Sequence, residues 1–333
     1  MKMQGHDVIA IGASAGGLAP LKEIVRGLPP DLPAAVFVVI HTHPRSPGFI
    51  AGILEREGQL PASNAVNGEE ILKGHIYVAP PDRHLVIEDG RVLLSQGPKE
   101  NRMRPAVDPL LRSAAHEYRQ RVVGVILSGN LDDGTSGLWS VKRRGGVAVV
   151  QDPREAECSE MPRSAIRDVK VDYCLPAAEI APLLVRLARD PANEGEADET
   201  GGGMEIEMRI AKNGEAANHD VERLGEPSAF TCPECHGAFR EIHEGELVRF
   251  RCRTGHAYTA ASLFEELSES VEDEIWDSIR ALEEFASLAH LLADQAHSGD
   301  DEAEAERFRG AAREAERRAG LLRQALPAHE VLA

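Results

Sequence analysis

The sequence predicts an α/β chain: a doubly wound, mostly parallel sheet, then a small Cys/His unit and a pair of helices. Three observations carry this reading. In residues 1–190, near-continuous apolar runs of strand length alternate with amphipathic helical patterns, as strands covered on both faces do. Between 226 and 260, three cysteines and a histidine fall in two closely spaced pairs. Beyond 261, apolar residues recur at nearly heptad spacing until a Gly/Asp break.

The elements follow in order. DVIAIG at 7–12 is strand-like, and LAPLKEIVRG at 18–27 is a helix closed by Gly27. VFVVIH at 36–41 is a β-branched buried strand, while HIYVAP at 75–80 reads as a more exposed one. HLVIEDGRVLLS at 84–95 is an exposed hairpin turning at Asp89-Gly90. A helix over 105–118 puts Val107, Leu110, Leu111, Ala114 and Tyr118 on one face. RVVGVILSG at 121–129 and GVAVVQD at 146–152 are further core strands, with a helix near 135–143 between them.

Charge divides the chain. Residues 1–190 carry 23 Lys plus Arg and 23 Asp plus Glu, so the whole net charge of -18 lies beyond 190. PANEGEADETGGG at 191–203 opens an acidic, Gly-rich segment, 191–225, expected to be a solvated linker. The predicted units are therefore 1–190, this linker, a Cys/His unit at 226–260 and a helical segment at 261–333, broken at HSGDD, 297–301. The acid excess makes nucleic acid a poor partner. No run of 18 apolar residues exists and the amino-terminal run is too short for a signal peptide, so direct membrane insertion is not expected and a cytoplasmic protein is. Five cysteines in 333 residues do not make a disulfide framework.

Three core strands run into residues of catalytic type. The first ends at Gly12-Ala13-Ser14-Ala15-Gly16-Gly17, the second at His41, and the strand near 122–128 at Asn130-Leu131-Asp132-Asp133-Gly134. Ligands of open parallel sheets bind beyond the carboxyl ends of the strands, so a Ser, a His and an Asp can meet there. Small neighbours would let the chain turn sharply at Ser14, leaving its hydroxyl exposed and the helix-start N–H groups of Ala15 and Gly16 near an oxyanion. A phosphate-cradling loop and a bare tight turn remain alternatives, although the spacing is neither G-x-G-x-x-G nor that of a P-loop. His43 competes with His41 for the base, and Asp132 with Asp133 for the orienting carboxylate.

Cys232 and Cys235 form C-x2-C, and Cys252 and His256 form C-x3-H, with 16 residues between the pairs. Three thiolates and an imidazole suit a closed, tetrahedral, structural Zn²⁺ site. His236 and His243 are alternative ligands. No cofactor is expected for catalysis. The apolar stripe from Leu263 to Leu292, with the Ala/Glu/Arg-rich stretch at 302–325, points to a helical hairpin serving homodimerisation or partner docking.

Taken together, GASAGG with Ser14, VVIHTHPRSPGF at 38–49, GHIYVAPPDRHLVIEDG at 74–90, RPAVDPLLRSAA at 104–115, GVILSGNLDDGTSGL at 124–138 and AVVQDPREAECSEMPRSAI at 148–166 resemble the catalytic domain of the CheB protein-glutamate methylesterases of bacterial chemotaxis. The resemblance runs in order through 7–185 and implies a Rossmann-like hydrolase fold whose triad falls on Ser14, His41 and Asp133. It implies hydrolysis of glutamate methyl esters on methylated chemoreceptor helices, with release of methanol, and glutamine deamidation in some members. Ala15, Gly16, Asn130, Leu131, Arg104 and Met161 are then expected to form the oxyanion site or frame it.

Two departures stand out. The Gly-Met-Gly usual before the family's Asp loop is Gly129-Asn130-Leu131 here. The family's amino-terminal phosphorylatable receiver has no room before Asp7, so control is expected in trans, from the carboxyl-terminal half, or not at all. A hydrolase acting outside chemotaxis and a non-enzymatic signalling scaffold are the other readings.

Overall fold

The computed structural model describes residues 5–192, 202–213 and 221–326. They form two compact units, Met1–Leu263 and Phe264–Ala333.

The first unit opens with β1 (Val8–Ala13), α1 (Leu18–Gly27), β2 (Ala35–Ile40), α2 (Ile50–Glu57), β3 (Ala62–Asn64) and β4 (Ile76–Val78). The hairpin β5 (His84–Glu88) and β6 (Arg91–Ser95) then precedes α3 (Val107–Tyr118), β7 (Val122–Ile126), α4 (Thr135–Arg143), β8 (Val147–Gln151), α5 (Glu160–Asp168), β9 (Tyr173–Leu175) and α6 (Ala177–Arg189). Seven strands make one parallel sheet in the order β3-β4-β2-β1-β7-β8-β9. The chain winds outward from β1 in one direction and then returns to build β7 on its other side. That reversal makes the switch point of a doubly wound sheet, as the sequence predicts.

Residue alternation explains why both faces are covered. Ile9, Ile11, Val36 and Val38 pack against Leu21, Ile24, Leu54 and Leu184 of α1, α2 and α6. Val8, Ala10, Phe37 and Val39 pack on Leu110, Leu111, Leu138 and Met161 of α3, α4 and α5. β4 is buried, with Tyr77 at 1% exposure, where the sequence suggests an exposed strand. The three-residue β3, too short to leave a periodic signal, covers its outer edge.

Most of the expected linker, 193–201 and 214–220, lies outside the described residues. Between those stretches is a helix that the sequence reading does not anticipate, α7 (Gly202–Asn213). Its Met208 and Ala211 pack on Val86 of the β5–β6 hairpin, and Ile206 and Ile210 pack on Val221. A four-stranded antiparallel sheet follows, β10 (Glu226–Thr231), β11 (Ala238–Glu244), β12 (Leu247–Cys252) and β13 (Ala257–Thr259). It joins the half that holds the seven-stranded sheet through a buried ion-pair network. Glu100 and Glu207 face Arg112 and Arg251, and Arg249 pairs with Glu207 and Glu244.

Helix α8 (Ala260–Ser298) begins directly after β13, and α9 (Glu302–Ala325) follows the expected break. Asp301 caps α9 by accepting the Glu304 N–H at 3.0 Å. In the second unit the two helices form a hairpin, with Ala286 and Ala289 against Ala312 and Ala315. His290 meets Glu316 at 3.0 Å across the pair. No helix among the described residues is long and apolar enough to cross a membrane.

Candidate active site

Ser14, His41 and Asp133 leave the carboxyl ends of β1, β2 and β7, three adjacent strands, so the topology itself brings them together. Backbone bonds hold each departure point. The Ser14 N–H donates to Ser128 O at 2.9 Å and the His41 N–H to Ala13 O at 3.2 Å. Gly134, at φ +93°, lets the chain turn from Asp133 into α4.

His41 Nδ1 lies 3.1 Å from Ser14 Oγ, and His41 Nε2 lies 2.8 Å from Asp133 Oδ2. Asp133 therefore fixes the imidazole proton on Nε2, leaving the Nδ1 lone pair toward the serine. The nitrogen roles are the reverse of those in the serine-protease triad, with the same logic. Asp133 is 2% exposed and sits at the start of α3. Its Oδ2 accepts the Val107 N–H at 2.6 Å, and its Oδ1 accepts the Asp108 N–H at 3.2 Å and Asn101 Nδ2 at 3.1 Å. Helix-start N–H groups thus stabilise the buried carboxylate.

His43 and Asp132 lie outside this chain of hydrogen bonds. His43 is exposed and accepts the Arg45 N–H. Asp132 is buried with Oδ1 unpartnered among the described residues, and burial pushes its carboxyl up to about 6 against the pull of the Thr259 hydroxyl.

Around Ser14, no acceptor among the described residues takes the N–H of Ala15 or Gly16, so both remain available to an oxyanion. Leu131 is different: its N–H donates to Glu160 Oε2 at 2.7 Å, which ties down the loop and removes Leu131 as an oxyanion donor in this arrangement. Asn130 is exposed at the rim. Met161 is fully buried. It packs so closely under Gly129 that a Cβ there would overlap both Met161 Sδ and Ser14 Cβ. Arg104 is anchored to Asp82 at 2.7 Å and to Gly97 O at 2.8 Å, which ties the segment before α3 to the end of the β5–β6 hairpin.

The Cys/His cluster assembles as the spacing predicts. The ligand atoms of Cys232, Cys235, Cys252 and His256 all lie within 4.8 Å of one another. Cys235 Sγ to Cys252 Sγ is 3.5 Å, and His256 Nδ1 is 3.6 Å from the sulfurs of Cys232 and Cys252. A tetrahedron with metal–sulfur bonds of about 2.3 Å has edges of nearly this length. Glu234 lies 3.4 Å from His256 Nε2, the outer carboxylate that orients many metal-binding histidines. His243 is turned away onto Glu241, and His236 makes the turn of the first knuckle, its N–H donating to Cys232 O at 2.7 Å.

Sequence reasoning passed over Asn101, Glu160 and Glu234, whose roles depend on what the fold brings next to them. Only the carboxylate between Cys232-Pro-Glu-Cys235 left a local hint, by its place inside the knuckle.

A serine, a histidine and a buried carboxylate joined in one hydrogen-bonded chain at the switch point of a doubly wound sheet form the arrangement that serine hydrolases of α/β architecture use. Residues 9–184 match the family model described as CheB methylesterase, and the chain belongs to that family. It is 42% identical over 183 residues to a Leptospira interrogans protein described provisionally as a protein-glutamate methylesterase/protein-glutamine glutaminase, covering 55% of this chain and 95% of that one. The Anaeromyxobacter dehalogenans protein-glutamate methylesterase/protein-glutamine glutaminase 2 is 39% identical, with 55% of this chain and 54% of that protein covered. The crystal structure of the Thermotoga maritima CheB methylesterase catalytic domain superimposes with a TM-score of 0.53 at 37% identity, covering 54% of this chain and 98% of that one. As a family member, the protein is a carboxylic ester hydrolase.

Proposed function

We propose that Ser14, His41 and Asp133 hydrolyse glutamate methyl esters on a methylated chemoreceptor or a similar helical signalling protein. The single observation that carries this reading is the continuous Ser14–His41–Asp133 hydrogen-bond chain at the switch point of a family-matched sheet. Ser14 Oγ attacks the ester carbonyl as His41 Nδ1 takes its proton. Asp133 stabilises the resulting imidazolium, and the Ala15 and Gly16 N–H groups meet the tetrahedral oxyanion. His41 then returns the proton to the departing methanol. Water, activated by the same nitrogen, releases glutamate from the acyl-enzyme. A glutamine side chain would follow the same path with ammonia leaving.

The carboxyl-terminal half takes two further parts in this reading. Cys232, Cys235, Cys252 and His256 fit a structural Zn²⁺, which would tie β10, β12 and β13 together and supply folding free energy that so small a sheet lacks. Free thiolate ligands suit a reducing cytoplasm. The helical hairpin leaves Phe285, Leu288, Leu291 and Leu321 about half exposed. Pairing with a second copy would bury them in a four-helix bundle.

The mechanism is tested with a fluorophosphonate probe on the folded full chain. Labelling of the wild type, none of Ser14→Ala and at least 100-fold slower labelling of His41→Ala are expected. Equal labelling of wild type and His41→Ala would refute the assigned base.

A further inference from the structure

Asn101 stands between the triad and the Cys/His-bearing sheet, and every polar atom of its side chain is used. Nδ2 donates to Asp133 Oδ1 at 3.1 Å and to Asp108 Oδ2 at 2.8 Å. Oδ1 accepts the Thr259 N–H at 3.1 Å and the Ser262 hydroxyl at 3.2 Å. The donors at Oδ1 decide which end of the amide faces the carboxylates, because the flipped amide would set its oxygen against Asp108 and Asp133. All five residues are at most 5% exposed, so a missing bond is not readily replaced by bulk water.

The backbone makes the same connection. The Ala257 N–H donates to Lys99 O at 3.2 Å, and the Asn101 N–H donates to Ala257 O at 2.8 Å, so β13 seats segment 99–101. Asn101 has φ +48°, a left-handed conformation that asparagine tolerates better than most residues. Thr259 and Ser262 also cap α8 reciprocally: the Ser262 N–H donates to Thr259 Oγ1 at 3.1 Å and the Thr259 N–H to Ser262 Oγ at 2.9 Å. The groups that hold Asn101 are therefore themselves held in one geometry. Burial and then the neighbouring Asp133 push the Asp108 carboxyl well above the usual range, which is how two such close carboxyl groups coexist beneath one amide.

Resting on the triad reading above, we propose that Asn101 is a positioning residue for Asp133 and that the Cys/His-bearing sheet, through Thr259, together with the first turn of α8, through Ser262, supplies its seat. Asn101 sets the rotation of the Asp133 carboxylate, and through it the aim of His41 at Ser14. The sheet is then part of the catalytic framework and not an appendage to it.

The test measures methanol release from a methylated chemoreceptor fragment by the full-length wild type, Asn101→Ala, Ser262→Ala, Ser262→Thr and the double alanine variant, each checked for folding by circular dichroism. Asn101→Ala is expected to lower kcat roughly 100-fold with KM within about twofold, as misplaced catalytic groups do. Ser262→Ala removes the hydroxyl that donates to Asn101 Oδ1 and accepts the Thr259 N–H, and should lower kcat about fivefold, while Ser262→Thr should restore it. The double variant should be no slower than Asn101→Ala, because both losses run through one amide. A folded Asn101→Ala with wild-type kcat would overturn the proposal, as would a Ser262 loss that multiplies in full onto the Asn101 loss. Should Asn101→Ala not fold, the Ser262 pair decides: a kcat loss rescued by threonine upholds the proposal, and wild-type kcat in Ser262→Ala overturns it. If the wild type releases no methanol yet a fluorophosphonate labels Ser14, the substrate reading has failed, and the same comparisons are made on labelling rates. Absence of both reactions would overturn the triad reading and this proposal with it.

Discussion

In the seven-stranded sheet, the strands that carry the triad are backed on both faces by aliphatic side chains, from Ile9 and Ile11 on one side and Val8 and Ala10 on the other. The four-stranded sheet has little of this. It offers Phe239, Phe250 and Tyr258, then buries Arg249 and Arg251 against Glu100, Glu207 and Glu244, and gathers three cysteines and a histidine at one end. The first sheet is stabilised by area removed from water, at about 25 cal/mol per Å². The second depends on a few specific partners, each of which is costly to lose. One chain thus holds its chemistry on a tolerant scaffold and steadies it with a brittle one.

That contrast can be broken from the brittle side. Removing the metal with a tight chelator should have the largest effect, since structural zinc sites contribute on the order of 10 kcal/mol of folding free energy. One Zn²⁺ per chain before chelation, and loss of the four-stranded sheet's amide-exchange protection afterwards, are expected, with the seven-stranded sheet still protected. Asp133→Asn comes next. It removes the charge that stabilises the imidazolium and should lower kcat about 10³- to 10⁴-fold, measured by ester hydrolysis.

Glu207→Ala should destabilise the protein by about 3–5 kcal/mol in urea unfolding, because Arg112, Arg249 and Arg251 would share too few carboxylates. The same network sets an acid limit. Burial raises Glu100, but Arg112 and Arg251 outweigh it and hold it at about 2, below its ordinary 4.5. Its stabilisation is therefore complete above pH 4.5 and lost as pH falls from there toward 2, so acid should melt the four-stranded sheet first.

Asp132 shifts the opposite way. Burial holds its carboxyl at about 6 against an ordinary 3.8, so the folded state binds a proton that the unfolded chain has released, and ionisation destabilises the fold as pH rises through that window. Asp132→Asn should then raise stability by about 2–3 kcal/mol above pH 6 and have little effect below pH 4, measured by urea unfolding at several pH values. The smallest effect on the catalytic unit should come from Phe285→Glu, which is expected to weaken self-association in light scattering while leaving kcat unchanged.

How much of this was legible in the sequence follows the same division. Aliphatic strands and the polar residues at their ends are local signals, so the parallel sheet and the Cys/His spacing could be read directly, while the choice of His41 over His43 and of Asp133 over Asp132 rested on the family resemblance. What escaped depends on distant partners. Asn101 looks like an ordinary turn residue until Thr259 and Asp133 close on it from opposite sides. Glu207 reads as surface charge within an acidic segment until three arginines surround it. Leu131 looks like an oxyanion donor until Glu160 claims its N–H. β3 and β9, three residues each, are too short to show a period of two.

The central claim is ester hydrolysis by Ser14, and methanol release from a methylated chemoreceptor fragment tests it most directly. Release by the full chain that vanishes in a folded Ser14→Ala variant is the predicted result. Release at an unchanged rate by Ser14→Ala, or none from a folded wild type, would contradict it.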